Sequence, residues 1–103
     1  MKSINATEFR QWQSSGKDFQ LIDIREEHEI FEGELNGVKI PMGDIIARVN
    51  ELRKDCPVVI HCRSGRRSAA VIHSLEMKFQ LDNLYSLEGG YLACLEIDGS
   101  HER

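Results

Sequence analysis

An apolar stretch, Val58-Val59-Ile60-His61, runs directly into Cys62-Arg63-Ser64-Gly65-Arg66-Arg67-Ser68 and then into Ala69-Ala70-Val71-Ile72-His73-Ser74-Leu75. The first segment reads as a buried strand and the last as a helix, so a lone cysteine sits where a strand ends and a helix begins. Amides in the first turn of a helix have no intrahelical partner, and the helix dipole adds positive potential there. Three arginines and no acid lie within the same few residues. Such a setting lowers a thiol's pKa and holds an anion on or beside the sulfur.

The rest of the chain repeats the alternation. Asn5-Ala6-Thr7-Glu8 is a capping-box start for a helix that carries Phe9 and Trp12 and stops at Gly16. Phe19 to Ile24 reads as a strand, Arg25 to Glu34 as an acidic segment with one or two helical turns, and Val38-Lys39-Ile40 as a short strand closed by Pro41. Ile45, Ile46, Val49 and Leu52 fall at helical spacing after Asp44, which predicts a helix beginning there. Leu84 to Leu87 reads as a further strand ended by Glu88-Gly89-Gly90, and Tyr91 to Leu95 as a closing helix. Short apolar strands alternating with amphipathic helices imply an α/β domain with a parallel sheet covered on both faces. Ligands in such folds bind beyond the carboxyl ends of the strands, which would bring Asp23, Cys62 and Glu88 to one rim.

At 103 residues the chain, 1–103, is expected to be one domain. Its net charge of −4 argues against general nucleic-acid binding and makes the basic cluster at 63–67 a local anion site. No apolar segment is long enough to span a membrane, and no apolar signal region follows Met1. Cys56 and Cys62 flank one strand, which at about 3.3 Å per residue separates them too far for a disulfide. With Cys94 they make an odd count without scaffold spacing, as expected in a reducing, cytoplasmic compartment. His28, His73 and His101 form no metal-ligand pattern, so neither metal nor cofactor is expected.

The chain resembles the rhodanese sulfurtransferase family. The matching pieces are Leu21-Ile22-Asp23-Ile24-Arg25-Glu26, Lys39-Ile40-Pro41, the run from Val58 to Ala69, and Leu84-Tyr85-Ser86-Leu87-Glu88-Gly89-Gly90. The resemblance implies a single rhodanese-like domain with a five-stranded parallel sheet and helices on both faces. Cys62 would be the sulfur-carrying nucleophile, and Arg63, Ser64, Gly65, Arg66, Arg67 and Ser68 would cradle the persulfide and its anionic donor. A finer likeness is carried by Arg25-Glu26-Glu27-His28-Glu29, Gly37 to Asp44 and Leu92 to Asp98. These stretches look like the C-terminal rhodanese module of molybdopterin-synthase sulfurylases, which implies a ubiquitin-like sulfur carrier as acceptor and either an excised module or a stand-alone relative. Many rhodaneses have Gly-His-Ile-Pro-Gly-Ala before the second strand, where this chain has Gly33-Glu34-Leu35-Asn36-Gly37, and many have Trp where Cys94 stands.

The chemistry implied is covalent catalysis in two displacements. The thiolate takes the outer sulfur of thiosulfate or a persulfide, and a thiol, cyanide or protein acceptor then removes it. Amides of Arg63 to Ser68 facing the sulfur would keep the thiol ionised, and Arg63, Arg66 and Arg67 would attract the donor. Arg67 best matches the family's loop-closing arginine and has Glu88 or Asp23 as alternative partners. One rival is a cysteine phosphatase, whose Cys-x5-Arg pattern needs an arginine six positions after the cysteine; that position is Ser68 here. Another is a non-catalytic binding module, which the retained cysteine argues against. Cys56 and Cys94 read as small core residues, His61 as a packed, hydrogen-bonded strand end, and Asp23 with Arg25 as a structural pair. The acidic side chains from Glu26 to Glu34 read as a solvated face.

Overall fold

The computed structural model describes residues 1–99, so His101 lies outside the described residues. Five strands are joined by four α-helices: β1 (Lys2–Ile4), α1 (Ala6–Ser15), β2 (Gln20–Asp23), α2 (Glu27–Phe31), β3 (Val38–Lys39), β4 (Val58–His61), α3 (Arg66–Phe79), β5 (Leu84–Leu87) and α4 (Gly90–Asp98). The strands form one parallel sheet in the order β1-β5-β4-β2-β3. The most apolar strand, β4, is therefore central and buried at every residue.

Alternation along the strands divides the core. Val58, Ile60 and Cys62 face one side, where α3 contributes Val71, Ile72 and Leu75. Val59 faces the other, with Phe9 of α1 and Cys94 of α4. Cys62 and Cys94 thus lie on opposite faces of the sheet, and all three cysteines are free and buried. Among the described residues no helix is long and apolar enough to cross a membrane.

The start of α1 is the capping box expected. Asn5 Oδ1 accepts from Glu8 N at 2.8 Å, Glu8 Oε1 accepts from Asn5 N at 3.2 Å, and Gly16 ends the helix at φ 75°. Two other expectations fail. The helix predicted from Asp44 is instead two single 3₁₀ turns, Met42–Asp44 and Val49–Glu51, separated by turns. Ile45, Ile46 and Val49 are β-branched and poor helix formers, and burial of Ile45 and Leu52 holds the segment with mostly i→i−3 hydrogen bonds in place of a continuous α-helical ladder. Strand β1 has no counterpart in the element-by-element reading. Only Ile4 of its three residues is buried, and it is a strand because it pairs with β5.

Candidate active site

The carboxyl edge of the sheet collects Asp23 at the end of β2, Cys62 just past β4 and Glu88 just past β5, with Asp23 in register with His61. Helix α3 begins at Arg66, ahead of the Ala69 to Leu75 stretch read as helical, after Gly65 in the left-handed region at φ 102°. The first intrahelical bond runs from Ala69 N to Gly65 O at 3.2 Å, so the amides of the preceding residues remain available. Gly65 N donates to Cys62 Sγ at 3.1 Å. Burial pushes the Cys62 thiol pKa up, but the backbone amides of Ser68 and Gly65, and after them that of Arg67, outweigh it and leave the pKa below the ordinary value. Of the expected amides, that of Gly65 hydrogen-bonds the sulfur, and those of Ser68 and Arg67 help lower its pKa. Cys62 itself is fully buried.

Ser68 is equally buried. Its hydroxyl donates to Gly65 O at 3.1 Å and lies 2.9 Å from Ser86 Oγ of β5, which locks the turn to the sheet. The loop's carbonyls are turned the other way: Tyr91 N donates to Cys62 O at 3.0 Å and Leu92 N to Arg63 O at 3.1 Å. The unpaired amides of α4's first turn and the carbonyls of the cysteine loop satisfy each other, which leaves the loop's own amides directed at the sulfur. Gly90 permits this approach. It sits at φ 59°, and a Cβ there would stand 2.5 Å from Cys62 O and 2.6 Å from Arg63 O. Gly90→Ala is expected to cost about 2 kcal/mol or more, read by denaturant unfolding; wild-type stability would show that the loop and α4 are not held together in this way.

The three arginines separate. Arg63, Ser64 and Arg66 are exposed, and the side chains of both arginines are without hydrogen-bond partners among the described residues. Arg67 turns away from both acids considered for it. Its guanidinium is bidentate to Glu29 of α2, at 2.9 and 2.7 Å, while Glu88 accepts from Ser3 Oγ and Asp23 is held by Arg25. Glu29 is a site residue that the sequence reading assigned to a solvated face. The signal available was its position in a helix directly after β2, at the same sheet edge as Cys62. Hydrogen bonds from the Arg67 guanidinium and, to a lesser extent, from the Glu26 backbone outweigh the opposing effect of partial burial and hold the Glu29 carboxyl at about 2, against an ordinary 4.5. A lowered carboxyl pKa stabilises the fold above the ordinary value, and that contribution is lost as pH falls from 4.5 toward 2. Glu29→Gln should therefore remove about 1 kcal/mol near neutral pH and flatten that part of the acid-unfolding curve. Identical curves for the two proteins would show that the pair contributes nothing.

Asp23 and Arg25 form the expected pair and are its most buried version. Arg25 is 2% exposed and Asp23 0%. Arg25 Nε and Nη2 donate to the Asp23 carboxylate at 2.9 and 2.8 Å, and Arg25 N donates to Asp23 Oδ1 at 3.0 Å. Nη2 also reaches Gly33 O at 2.9 Å, and the guanidinium stacks 4.5 Å from the centre of the Tyr91 ring. Burial raises the Asp23 pKa, but the hydrogen bonds and charge of Arg25 more than reverse it, so the carboxyl stays ionised. His61 is buried as expected, with Nδ1 3.2 Å from Cys62 O. Its Nε2 is 3.6 Å from Asp23 Oδ2 and has no hydrogen-bond partner, and burial lowers its pKa, which keeps the ring neutral.

Comparison with known proteins agrees with this architecture. The family model described as a rhodanese-like domain matches residues 5–96. A putative sulfurtransferase, YtwF of Bacillus subtilis, is 37% identical over 95 residues, covering 90% of this chain and 89% of that protein. A sulfurtransferase of Allochromatium vinosum is 34% identical over 94 residues, covering 90% and 87%. The crystal structure of a rhodanese-like domain protein from Staphylococcus aureus superposes with a TM-score of 0.81 at 33% identity, covering 91% of each chain. A family model matched over nearly the whole described fold, around a cysteine loop with this geometry, shows that the chain belongs to the rhodanese-like domain family.

Proposed function

We propose that the protein is a sulfurtransferase that carries sulfane sulfur on Cys62. The observation that carries this reading is the Cys62 sulfur facing the amides of Gly65, Arg67 and Ser68, which favour its anionic form. The same donors are suited to a persulfide anion, whose charge lies on the outer sulfur. In the first step Cys62 Sγ attacks the outer sulfur of thiosulfate or a persulfide, and sulfite or a thiolate leaves with the bonding pair. In the second, a nucleophile such as cyanide, a small thiol or the thiol of a carrier protein attacks that outer sulfur, and the bonding pair returns to Cys62 as thiolate. Because Cys62 is buried, the donor enters between the exposed side chains of Arg63, Ser64 and Arg66, and the two free arginines supply the positive charge that draws it. Arg67, held by Glu29, positions the loop and is not part of that attraction. For the same reason it is not offered to a phosphoryl group, which weighs against the phosphatase reading. Three free cysteines suit a reducing compartment such as the cytoplasm.

Incubation with thiosulfate followed by intact-mass measurement tests this reading. The expected result is the gain of one sulfur atom per chain, reversed by a thiol reductant. An unchanged mass at saturating thiosulfate and at saturating alkyl persulfide overturns it.

A further inference from the structure

His61 ends β4 and is fully buried. Alternation turns it, like Val59, to the α4 side of the sheet, while Cys62 faces the α3 side. Both ring nitrogens look at acceptors. Nδ1 is 3.2 Å from Cys62 O, and Nε2 is 3.6 Å from Asp23 Oδ2. A carbonyl oxygen can only accept, so the closer contact requires the proton on Nδ1. In the neutral ring Nε2 then holds a bare lone pair, buried and without a donor. The charged groups nearest the ring are Asp23 and Arg25, which pair with each other, and the remaining Arg25 donors go to the carbonyls of Glu29 and Gly33. A buried polar atom left without a partner is costly. Packing alone is served by apolar side chains, as at Val58, Val59 and Ile60 of the same strand. What histidine adds is the bond from Nδ1.

That bond falls on a carbonyl with a second donor. Cys62 O also accepts from Tyr91 N at 3.0 Å. Two donors use both of its lone pairs and fix the plane of the peptide between Cys62 and Arg63. The peptide is trans, so its N–H points opposite to its carbonyl. With the carbonyl turned to α4, the Arg63 N–H is directed to the side of the sheet that carries the Cys62 side chain. We propose that His61 is a positioning residue for Cys62: its Nδ1–H fixes the first peptide of the loop, so that the Arg63 amide joins those of Gly65, Ser68 and Arg67 in stabilising the sulfur anion. The consequence for sulfur transfer rests on the sulfurtransferase reading, while the consequence for the thiol does not.

Two substitutions separate the donor from the bulk. Asparagine puts its amide nitrogen where Nδ1 stood, and glutamine reaches the place of Nε2, beside Asp23. His61→Asn should hold the Cys62 pKa within about 0.3 pH unit of wild type, whereas His61→Gln should raise it by about one. The measurement is the Cβ NMR shift of Cys62 against pH in cysteine-labelled protein, with Cys62→Ser assigning the signal. A purely structural role would favour glutamine, which is longer and offers Asp23 a donor. Below both pKa values, loading from thiosulfate should be about threefold slower in His61→Gln, because the smaller thiolate fraction is partly offset by higher nucleophilicity. Nitrogen NMR of histidine-labelled wild type should show Nδ1 protonated and Nε2 bare. A proton on Nε2, an unmoved Cys62 pKa in His61→Gln, or equal shifts in the two variants overturns the proposal. The first of these is read on the wild-type protein and needs no variant to fold. If the thiol responds as expected but no protein gains sulfur from thiosulfate or an alkyl persulfide, His61 keeps this role and the sulfurtransferase reading falls.

Discussion

Cys62→Ser is expected to reduce sulfur transfer from thiosulfate to cyanide by about a thousandfold or more, measured as thiocyanate release. The size follows from the mechanism: a serine hydroxyl is neither ionised near neutral pH nor able to form a persulfide, so the covalent route is removed outright. The amides of Gly65, Arg67 and Ser68 would remain, but they stabilise a charge that the hydroxyl does not carry. Cys94→Ser is the matched control. That thiol lies on the opposite face of the sheet, and burial raises its pKa, so its replacement should leave transfer within about twofold of wild type after correction for folded protein. Equal rates for wild type and Cys62→Ser would remove Cys62 from the mechanism.

Asp23→Asn should destabilise the fold by about 3–5 kcal/mol, measured by denaturant unfolding. The substitution leaves the Arg25 guanidinium in a site where it is 2% exposed and stacked on Tyr91, with only neutral acceptors as partners: the carbonyls of Gly33 and Glu29 and the one amide oxygen of the new side chain. An uncompensated buried charge is costly because neither water nor the remaining neutral acceptors replace the lost carboxylate. A small domain has little more stability than this to lose, so the variant should be partly unfolded under mild denaturant. Replacing both partners by apolar residues of similar volume should recover much of the loss, since the double change leaves no charge unpaired. A single variant as stable as wild type would show that the pair contributes no net stability.

The depth of that ion pair illustrates what could be read in advance. Asp23 and Arg25 are two apart, straddling the end of a strand, a local arrangement that needs no knowledge of the fold. The same holds for the capping box at Asn5 and for the amphipathic face of α3. The partner of Arg67 was not legible. Glu29 is 38 positions away from it and sits among four other glutamates that look alike in sequence. Only the sheet order, which sets β2 beside β4, brings the helix after one strand against the loop after the other. Likewise, no pattern within Lys2-Ser3-Ile4 marks a strand; the free edge of β5 makes it one. The segment after Asp44 misled for the converse reason, because its helical spacing is real while burial of two of its residues is satisfied by isolated turns.

The sequence by itself determined the alternation of strands and helices, the parallel sheet, and a cysteine at a strand-to-helix junction among basic residues, because each depends on neighbours within a few positions. Tertiary structure alone decided which amides face the sulfur, which arginine is sequestered by Glu29, and which two stay free. Those outcomes depend on groups far apart in the chain, brought to one edge by strand order and held there by hydrogen bonds between the cysteine loop and α4.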